Sequence, residues 1–159
     1  MFQSASYTGT KTENYDLLNK QLKALIEDEP DVIANLSNAS SLLNQFLDDV
    51  NWVGFYLWKE NQLILGPFQG LPACVRIPSG KGVCGTAVSE RSVQRIEDVH
   101  KFPGHIACDA ASQSEIVVPI FKDGEIYGVL DIDSPSKGRF DKMDEEKLAE
   151  FVEIIQHYI

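Results

Sequence analysis

The sequence predicts an α+β domain in which helices flank one central antiparallel β-sheet. Two pairs of apolar, β-rich segments are each joined by a short polar turn, and strands connected in this way pair antiparallel. Helical patterns stand at both ends of the chain, before and after these segments. The chain has 159 residues, which is enough for one domain to bury its own core without disulfide bonds. We therefore expect a single domain over residues 1–159, with residues 1–11 as a flexible N-terminal extension.

Two amphipathic helices are predicted before the first strand. From Thr12 to Glu29, apolar residues recur three or four positions apart, with Thr12 or Asn14 near the cap, and Pro30 ends the pattern. Asp31 then begins a second helical pattern. Both helices are interpreted as cover for the sheet.

The first strand of the first predicted hairpin carries four aromatic residues in seven. The segment WVGFYLW, from Trp52 to Trp58, precedes Asn61 and a second apolar run, LILGPF. Trp52, Gly54 and Tyr56 fall on one face by the period of two. Gly54 leaves a gap between two rings that could admit a small ligand, although two packed core aromatic residues explain the pattern as well.

The middle of the chain alternates short elements with loops. We expect a short strand over residues 74–77, a Gly-rich loop entering a helix over residues 83–90, and another short strand over residues 93–96. The exposed N–H groups at such a helix entry suit a carboxylate or a phosphate. The segment lacks the Gly-Lys-Ser/Thr ending of a nucleotide-binding loop. Residues 97–112 have no periodicity and are predicted to form a long loop, which in a compact domain is often functional.

The second predicted hairpin brings carboxylates together. SEIVVPIF and EIYGVLDI flank the KDG turn at residues 122–124. This pairing places Glu115, at the start of one strand, near Asp131 and Asp133 on the other. A C-terminal helix capped by Asp141 follows, with an apolar stripe of its own.

The face carrying Asp131 and Asp133 has two possible roles. By strict alternation, one face of the strand holds Tyr127, Val129 and both aspartates, and the other face holds Ile126, Leu130 and Ile132. The polar face is either a solvent-facing edge or a pocket for a cation such as an amino group.

The charge and composition exclude several classes of protein. Fourteen basic and twenty-four acidic residues give a net charge of -10, which disfavours nucleic acid and anionic lipid as partners. No apolar run approaches the length of a membrane span, and no leader is recognisable at the N-terminus. We therefore expect a cytoplasmic protein.

Three cysteines, Cys74, Cys84 and Cys108, cannot pair completely. In a chain without a secretion signal they favour metal-binding, redox-active or catalytic thiols over a structural framework. Their spacing lacks the close pair of common zinc sites, although His105 could lie near Cys108, and we expect no metal. Cys108 lies in a loop of small residues and is predicted to be exposed, whereas Cys74 is predicted to be an ordinary buried thiol. Carboxylates beside a thiol raise its pKa, so we infer that Glu115 and its neighbours serve a ligand.

Long motifs in one order make the chain resemble the free methionine-(R)-sulfoxide reductases, which are stand-alone GAF-domain enzymes. The motifs are NWVGFYL, LGPFQG, ACVRIPSGKGVCGTAV, QRIEDVHKFPGHIACDAASQSEIVVPI and GVLDIDSP, and with the segments between them they cover nearly all of residues 12–158. The resemblance implies a GAF fold and reduction of the R epimer of free, not peptide-bound, methionine sulfoxide.

The resemblance also implies roles for particular residues. Cys108 resembles the catalytic cysteine, which is left as a sulfenic acid, Cys74 resembles the principal resolving cysteine, and Cys84 resembles a third cysteine that shares that role. The implied substrate contacts are Glu115, Asp131 and Asp133, with Trp52 and Tyr56 as an aromatic wall. Glu115 would also protonate the sulfoxide oxygen.

The resemblance implies no bound cofactor. The implied external reductant is thioredoxin with NADPH, and a homodimer is expected only by analogy with other GAF domains. Two other classes stay open from the sequence. One is a non-enzymatic GAF module that binds a small ligand or senses redox state, and the other is a structural zinc protein.

Overall fold

The computed structural model describes residues 2–106 and 109–159 and contains one six-stranded sheet. Its helices are α1 (Lys11–Ile26), α2 (Val32–Phe46), α3 (Gly82–Glu90) and α4 (Lys142–His157). Its strands are β1 (Trp52–Lys59), β2 (Gln62–Gly70), β3 (Arg76–Pro78), β4 (Gln94–Ile96), β5 (Ser114–Lys122) and β6 (Glu125–Ser134). A 3₁₀ turn, Val99–Lys101, interrupts the long loop before β5. The strand order is β3-β2-β1-β6-β5-β4, and every neighbouring pair is antiparallel, which confirms the predicted fold class.

The helix ends follow from side chains that satisfy the free N–H groups of each first turn. Helix α1 begins with a capping box between Thr10 and Glu13. The expected cap at Thr12 or Asn14 was therefore wrong, because the helix begins earlier in the chain. Asp31 caps α2 as predicted, by accepting a hydrogen bond from the N–H group of Ala34. Asp141 caps α4, also as predicted.

The two long hairpins turn on pairs of residues with positive φ. Glu60 and Asn61 have φ of 55° and 60°, and Asp123 and Gly124 have φ of 52° and 77°. Two consecutive residues of this kind give the turn whose twist matches that of paired strands. Both hairpins were predicted from these turn residues.

The sheet separates two apolar clusters. On one face, β1, β5 and β6 pack against α1, α2 and α4 in a cluster that includes Leu18, Leu43, Phe55 and Phe151. On the other face lies a smaller cluster around α3, which includes Trp52 and Tyr56. Three helices cover the first face, so open space for a ligand lies on the second.

A bulge in β6 reverses the faces expected for two residues. Ile120 pairs with Gly128, but Phe121 pairs with Ile126, so Tyr127 is an extra residue in β6. Tyr127 therefore packs against the helix-covered cluster and Ile126 against the cluster around α3. The prediction from strict alternation was wrong at these two positions because a bulge shifts the period by one residue.

A buried carboxylate joins the two terminal helices. The Tyr15 hydroxyl of α1 donates a hydrogen bond to Asp144 Oδ1 of α4 at 2.5 Å, and the Asp144 side chain is fully buried. Lys11 Nζ and Arg139 Nη1 lie 3.0 and 3.5 Å from Asp144 Oδ2. Two cations and a hydroxyl thus compensate the burial of this charge.

The segment before α1 contacts the domain at Tyr7. The Tyr7 ring packs edge-on against Phe46, with ring centroids 4.7 Å apart, and its hydroxyl donates a hydrogen bond to Gln21. Within residues 2–106 and 109–159, none of the helices combines the length and apolar character needed to cross a bilayer.

Candidate functional site

A pocket opens on the face of the sheet that α3 partly covers. Its walls come from β1, the 71–73 loop, the start of α3, the segment before β5, and the strands β5 and β6. The residues of these walls that carry aromatic, thiol or ionisable groups are Trp52, Tyr56, Lys81, Cys84, His105, Asp109, Glu115, Asp131 and Asp133. The cavity has a volume of about 40 Å³, which holds roughly three water molecules.

The aromatic wall is packed without a gap. The Trp52 and Tyr56 rings stack with centroids 5.8 Å apart, and Phe68 stacks on Trp52 at 5.2 Å. A Cβ atom on Gly54 would lie 2.3 Å from the Cβ atom of Phe68. The suggested ligand space between the rings was therefore wrong, because Gly54 makes room for Phe68 on the neighbouring strand.

Polar atoms of the two rings fix the adjacent loop. The indole N–H group of Trp52 donates a hydrogen bond to the carbonyl oxygen of Leu71 at 3.1 Å. The Tyr56 hydroxyl donates one to the carbonyl oxygen of Cys74 at 2.9 Å. The wall therefore holds the loop that carries Cys74 against the pocket.

Three carboxyl groups lie in adjacent rows of the sheet. In one row of paired residues, Asp133 of β6 lies between Trp52 of β1 and Glu115 of β5. In the next row on this face, Asp131 of β6 pairs with Gly54 of β1. Glu115 and Asp131 are each only 6% exposed. The prediction that the second hairpin brings these residues together is confirmed. A solvent-facing edge is excluded because β6 lies between β1 and β5.

Burial sets the protonation of this group. The pKa of Glu115 is raised well above its usual value, mainly by burial and then by the charges of Asp131 and Asp133. The pKa of Asp133 is also raised well above its usual value by burial, then by Asp131 and Asp109. Burial raises the pKa of Asp131 too, but hydrogen bonds from Glu115 and Cys84 oppose the increase. Glu115 and Asp133 therefore hold protons more firmly than Asp131.

The carboxyl groups surround Cys84. Its Sγ atom lies 3.9 Å from Glu115 Oε2, and the side chain is 4% exposed. Burial, then Asp131 and Glu115, raise the pKa of the Cys84 thiol. The carboxylates were expected beside Cys108. Their contact with Cys84 was not predicted, because α3 brings Cys84 to the strands from a distant part of the chain.

The cysteines differ in redox state. Cys74 is half-buried and disulfide-bonded, whereas Cys84 is a free, buried thiol. The prediction that Cys74 is an ordinary buried thiol was therefore wrong, and that description fits Cys84. Cys108, predicted to be exposed and catalytic, lies outside the described residues.

The first turn of α3 lies at the pocket. Lys81 occupies the N-cap position without a side-chain hydrogen bond to the helix, and Gly82 has φ of 61°. Lys81, Gly82, Val83 and Cys84 all line the cavity. N–H groups of the first turn with no intrahelical acceptor suit a bound carboxylate.

The structure adds pocket residues to which the sequence analysis gave no substrate role. His105 Nε2 lies 3.7 Å from Glu115 Oε1, and burial lowers the pKa of His105. The two pKa shifts favour the uncharged forms of Glu115 and His105, so burial works against an ion pair between them. Asn51 Nδ2 donates hydrogen bonds to Asp109 Oδ2 and Ser112 Oγ, at 2.9 and 3.2 Å. The signal for His105, Asp109 and Ser112 was their position in or beside the long loop, whereas Asn51, which precedes β1, gave no such signal.

One subset of the site has the donor atoms for a metal ion. Among the described residues, Cys84, Glu115 and Asp131 place one ligand atom each within 4.8 Å of one another, and all three side chains are buried. Their sulfur and oxygen donors fit a borderline-soft divalent cation.

Comparison with known proteins gives a consistent result. Residues 31–158 match the model of the GAF domain family. The chain is 58% identical over 142 residues to the free methionine-R-sulfoxide reductase of Escherichia coli, covering 89% of this chain and 86% of that protein.

Solved structures agree with the sequence comparison. The structure of fRMsr of Staphylococcus aureus in complex with substrate is 62% identical, with a TM-score of 0.88, over 97% of this chain and 99% of that one. The free methionine-R-sulfoxide reductase of Neisseria meningitidis, in complex with its substrate, is 40% identical with a TM-score of 0.90, over 99% of this chain and 93% of that one.

Proposed function

The chain belongs to the GAF-domain family and, within it, to the free methionine-R-sulfoxide reductases, and from this membership we propose how it reduces free methionine-R-sulfoxide to methionine. The observation that carries the proposal is the pocket in which the buried Glu115 and Asp131 and the half-buried Asp133 lie beside the stacked Trp52 and Tyr56 rings. One wall of the pocket carries these carboxyl groups, and the other presents the apolar faces of the two aromatic rings.

Asp131 and Asp133 bind the ammonium group of the substrate. Asp131 Oδ1 is buried and has no hydrogen-bond partner within the described part of the chain. A buried oxygen of this kind gains a charge-assisted hydrogen bond when an ammonium group enters. The approaching cation also favours ionisation of Asp133, which burial otherwise opposes.

The first turn of α3 binds the substrate carboxylate, and the Trp52 and Tyr56 rings contact its apolar chain. The N–H groups after Lys81 supply donors, and the positive end of the helix dipole favours an anion. A site that contacts both a free amino group and a free carboxylate excludes peptide-bound residues. This accounts physically for a preference for the free amino acid.

Glu115 is the general acid. Burial raises its pKa well above the usual value, so Glu115 keeps its proton to a higher pH than an exposed glutamate does and can donate it to the sulfoxide oxygen. The thiolate of Cys108 attacks the sulfoxide sulfur, methionine leaves, and the oxygen remains on Cys108 as a sulfenic acid. The role of Cys108 rests on its resemblance to the catalytic cysteine of the family.

Cys74 is the resolving thiol. It condenses with the sulfenic acid, which forms a disulfide and releases water, and thioredoxin then reduces the disulfide by thiol–disulfide exchange. The disulfide-bonded state of Cys74 and the free thiol of Cys84 support this assignment.

The pocket must widen before the substrate binds. A volume of about 40 Å³ suits a few water molecules and is far too small for methionine sulfoxide. Because the structure has Cys74 in a disulfide, we propose that the substrate enters after reduction of that bond.

A thioredoxin-coupled assay that follows NADPH consumption tests the function. Free L-methionine-R-sulfoxide, the S epimer, and a peptide containing methionine sulfoxide are offered separately. Turnover confined to the free R epimer is expected. Equal turnover of the peptide would contradict the proposed contacts to both termini of the amino acid. No turnover at all from folded, reduced protein would favour a binding module.

A further inference from the structure

A sulfur atom lies in the cluster formed by Cys84, Glu115 and Asp131, although binding of an ammonium group does not require sulfur. Carboxylates alone suffice to bind an ammonium group. The three side chains come from α3, β5 and β6, and each is buried. A buried thiol between two carboxyl groups is a donor set that selects softer cations than oxygen alone does.

We propose that Cys84, Glu115 and Asp131 form a binding site for a thiophilic divalent cation of the Zn²⁺ type. The cation binds as the Cys84 thiol and the Glu115 carboxyl group release their protons to solvent, so that one thiolate and two carboxylates surround the divalent ion and the occupied site carries one net negative charge. A water molecule from the cavity completes the coordination.

The separations of the donor atoms are close to those of such a site. With Zn–S of about 2.3 Å and Zn–O of about 2.1 Å, a tetrahedral ion holds its sulfur and oxygen ligands about 3.6 Å apart. Cys84 Sγ and Glu115 Oε2 are 3.9 Å apart, and all three donor atoms lie within 4.8 Å of one another. Small rotations of the side chains therefore assemble the ligand set without a change in the backbone.

A second observation supports a cation ligand at this position. Asp131 is 6% exposed, and its Oδ1 atom has no hydrogen-bond partner in the described parts of the chain. A buried, unsatisfied carboxylate oxygen is costly unless a donor or a metal ion occupies the adjacent space.

The size of the cavity favours an ion in the disulfide-bonded state. About 40 Å³ accommodates a small cation with its water but not an amino acid. A cation held there occupies Glu115 and Asp131, which the proposed mechanism needs for proton transfer and ammonium binding. The site is therefore inhibitory, and metal bound to the oxidised protein blocks the pocket.

The test uses the disulfide-bonded protein, in which Cys84 is a free thiol. Cd²⁺ is titrated in, and the ultraviolet absorption of the cadmium–thiolate bond is followed. Zn²⁺ is then added to displace it. We expect a thiolate band that saturates near about one equivalent of Cd²⁺. Because no turnover is needed, the result does not depend on the proposed reductase mechanism.

Variants assign the band to the three residues. Cys84→Ser should remove the band and weaken binding roughly a hundredfold, and Asp131→Asn should keep the band but weaken binding roughly tenfold. Glu115→Gln preserves the shape of the side chain and removes the second proposed carboxylate ligand. It allows the site to be tested even if Cys84→Ser fails to fold. Asp28→Asn removes the same charge from an exposed loop and should change nothing.

Two results would overturn the proposal. The first is a thiolate band that survives in Cys84→Ser. The second is an affinity for Cd²⁺ that is the same in Asp131→Asn, Glu115→Gln and the unaltered protein.

Discussion

The Cys84 thiol lies 3.9 Å from the carboxyl group of Glu115, and both side chains are more than nine-tenths buried. Burial is the main reason that the pKa values of both groups lie well above their usual range. The charge of Glu115 adds to the increase for the Cys84 thiol, whereas the hydrogen bond from Cys84 opposes the increase for Glu115. Cys84 is consequently a poor nucleophile in this state, and Glu115 is available as an acid.

Replacement of Glu115 tests its role as an acid. Glu115→Gln should lower kcat/KM by about 10²–10⁴-fold, because an amide cannot donate a proton of comparable acidity. In the unaltered protein, kcat should fall as the pH rises through the raised pKa of Glu115, since the acid form is then lost. The pH profile of the variant should lack this alkaline decline. An identical alkaline decline in both proteins would remove Glu115 from proton transfer.

The buried carboxyl groups make stability depend on pH. Because the pKa of Asp133 in the folded protein is raised well above 3.8, the folded state holds a proton that the unfolded chain releases. The contribution of Asp133 to the free energy of unfolding is therefore fully present below the unfolded pKa and is lost as the pH rises through the folded pKa, by about 1.4 kcal/mol for each unit between the two values.

Asp133→Asn should reduce this loss and stabilise the protein at alkaline pH. Urea unfolding at several pH values measures the effect. Asp28→Asn, at an exposed position, is the matched control and should leave the pH dependence unchanged. A steeper loss of stability in Asp133→Asn would contradict the assigned direction of the pKa shift.

Asp131 should contribute chiefly to substrate binding. Asp131→Asn should lower kcat/KM for free methionine sulfoxide by roughly 10–100-fold, because one charge-assisted contact is lost. A substrate analogue that lacks the amino group should be reduced equally well by both proteins. Steady-state kinetics with the two substrates make the comparison. An equal loss for both substrates would place Asp131 outside the ammonium site.

Cys74→Ser should separate the chemical step from recycling. The variant should release about one methionine per chain in a rapid burst and then stall, since no thiol at that position condenses with the sulfenic acid. Quenched samples analysed for methionine give the burst amplitude. Sustained turnover with thioredoxin would show that Cys84 or an external thiol resolves the intermediate.

Tyr15 should stabilise the contact between the terminal helices. Tyr15→Phe should lower the free energy of unfolding by about 1–3 kcal/mol, because Asp144 is fully buried and loses its 2.5 Å hydrogen bond. Tyr158→Phe, in a half-buried tyrosine after α4, is the matched control. Thermal unfolding compares the two. Equal stability of both variants would mean that Lys11 and Arg139 satisfy Asp144 without the hydroxyl.

The sequence predicted those parts of the fold that depend on local chemistry. Asn61 indicated the turn of the first long hairpin, Asp123 and Gly124 indicated that of the second, and Asp31 and Asp141 indicated helix starts. Strict alternation failed at Tyr127 because a bulge depends on how two strands pair, which a single strand does not encode.

The part of the site that lies on a single hairpin was predicted from the sequence. Glu115, Asp131 and Asp133 lie on β5 and β6, so their proximity followed from the turn between the strands. The contact of Cys84 with these residues was not predicted, because it depends on how α3 packs across the sheet. Likewise, Phe68 fills the space above Gly54 through a pairing that sequence spacing alone does not fix.

The strand order places β1 next to β6, so the pocket straddles the junction between two hairpins that are distant in the chain. A chain that has folded only its first hairpin has Trp52 and Tyr56 but none of the three carboxyl groups. Because closing the long intervening segment has an entropic cost, we expect this junction to form late in folding. A nascent or partly unfolded molecule therefore cannot bind substrate, and ligand binding stabilises only the fully assembled domain.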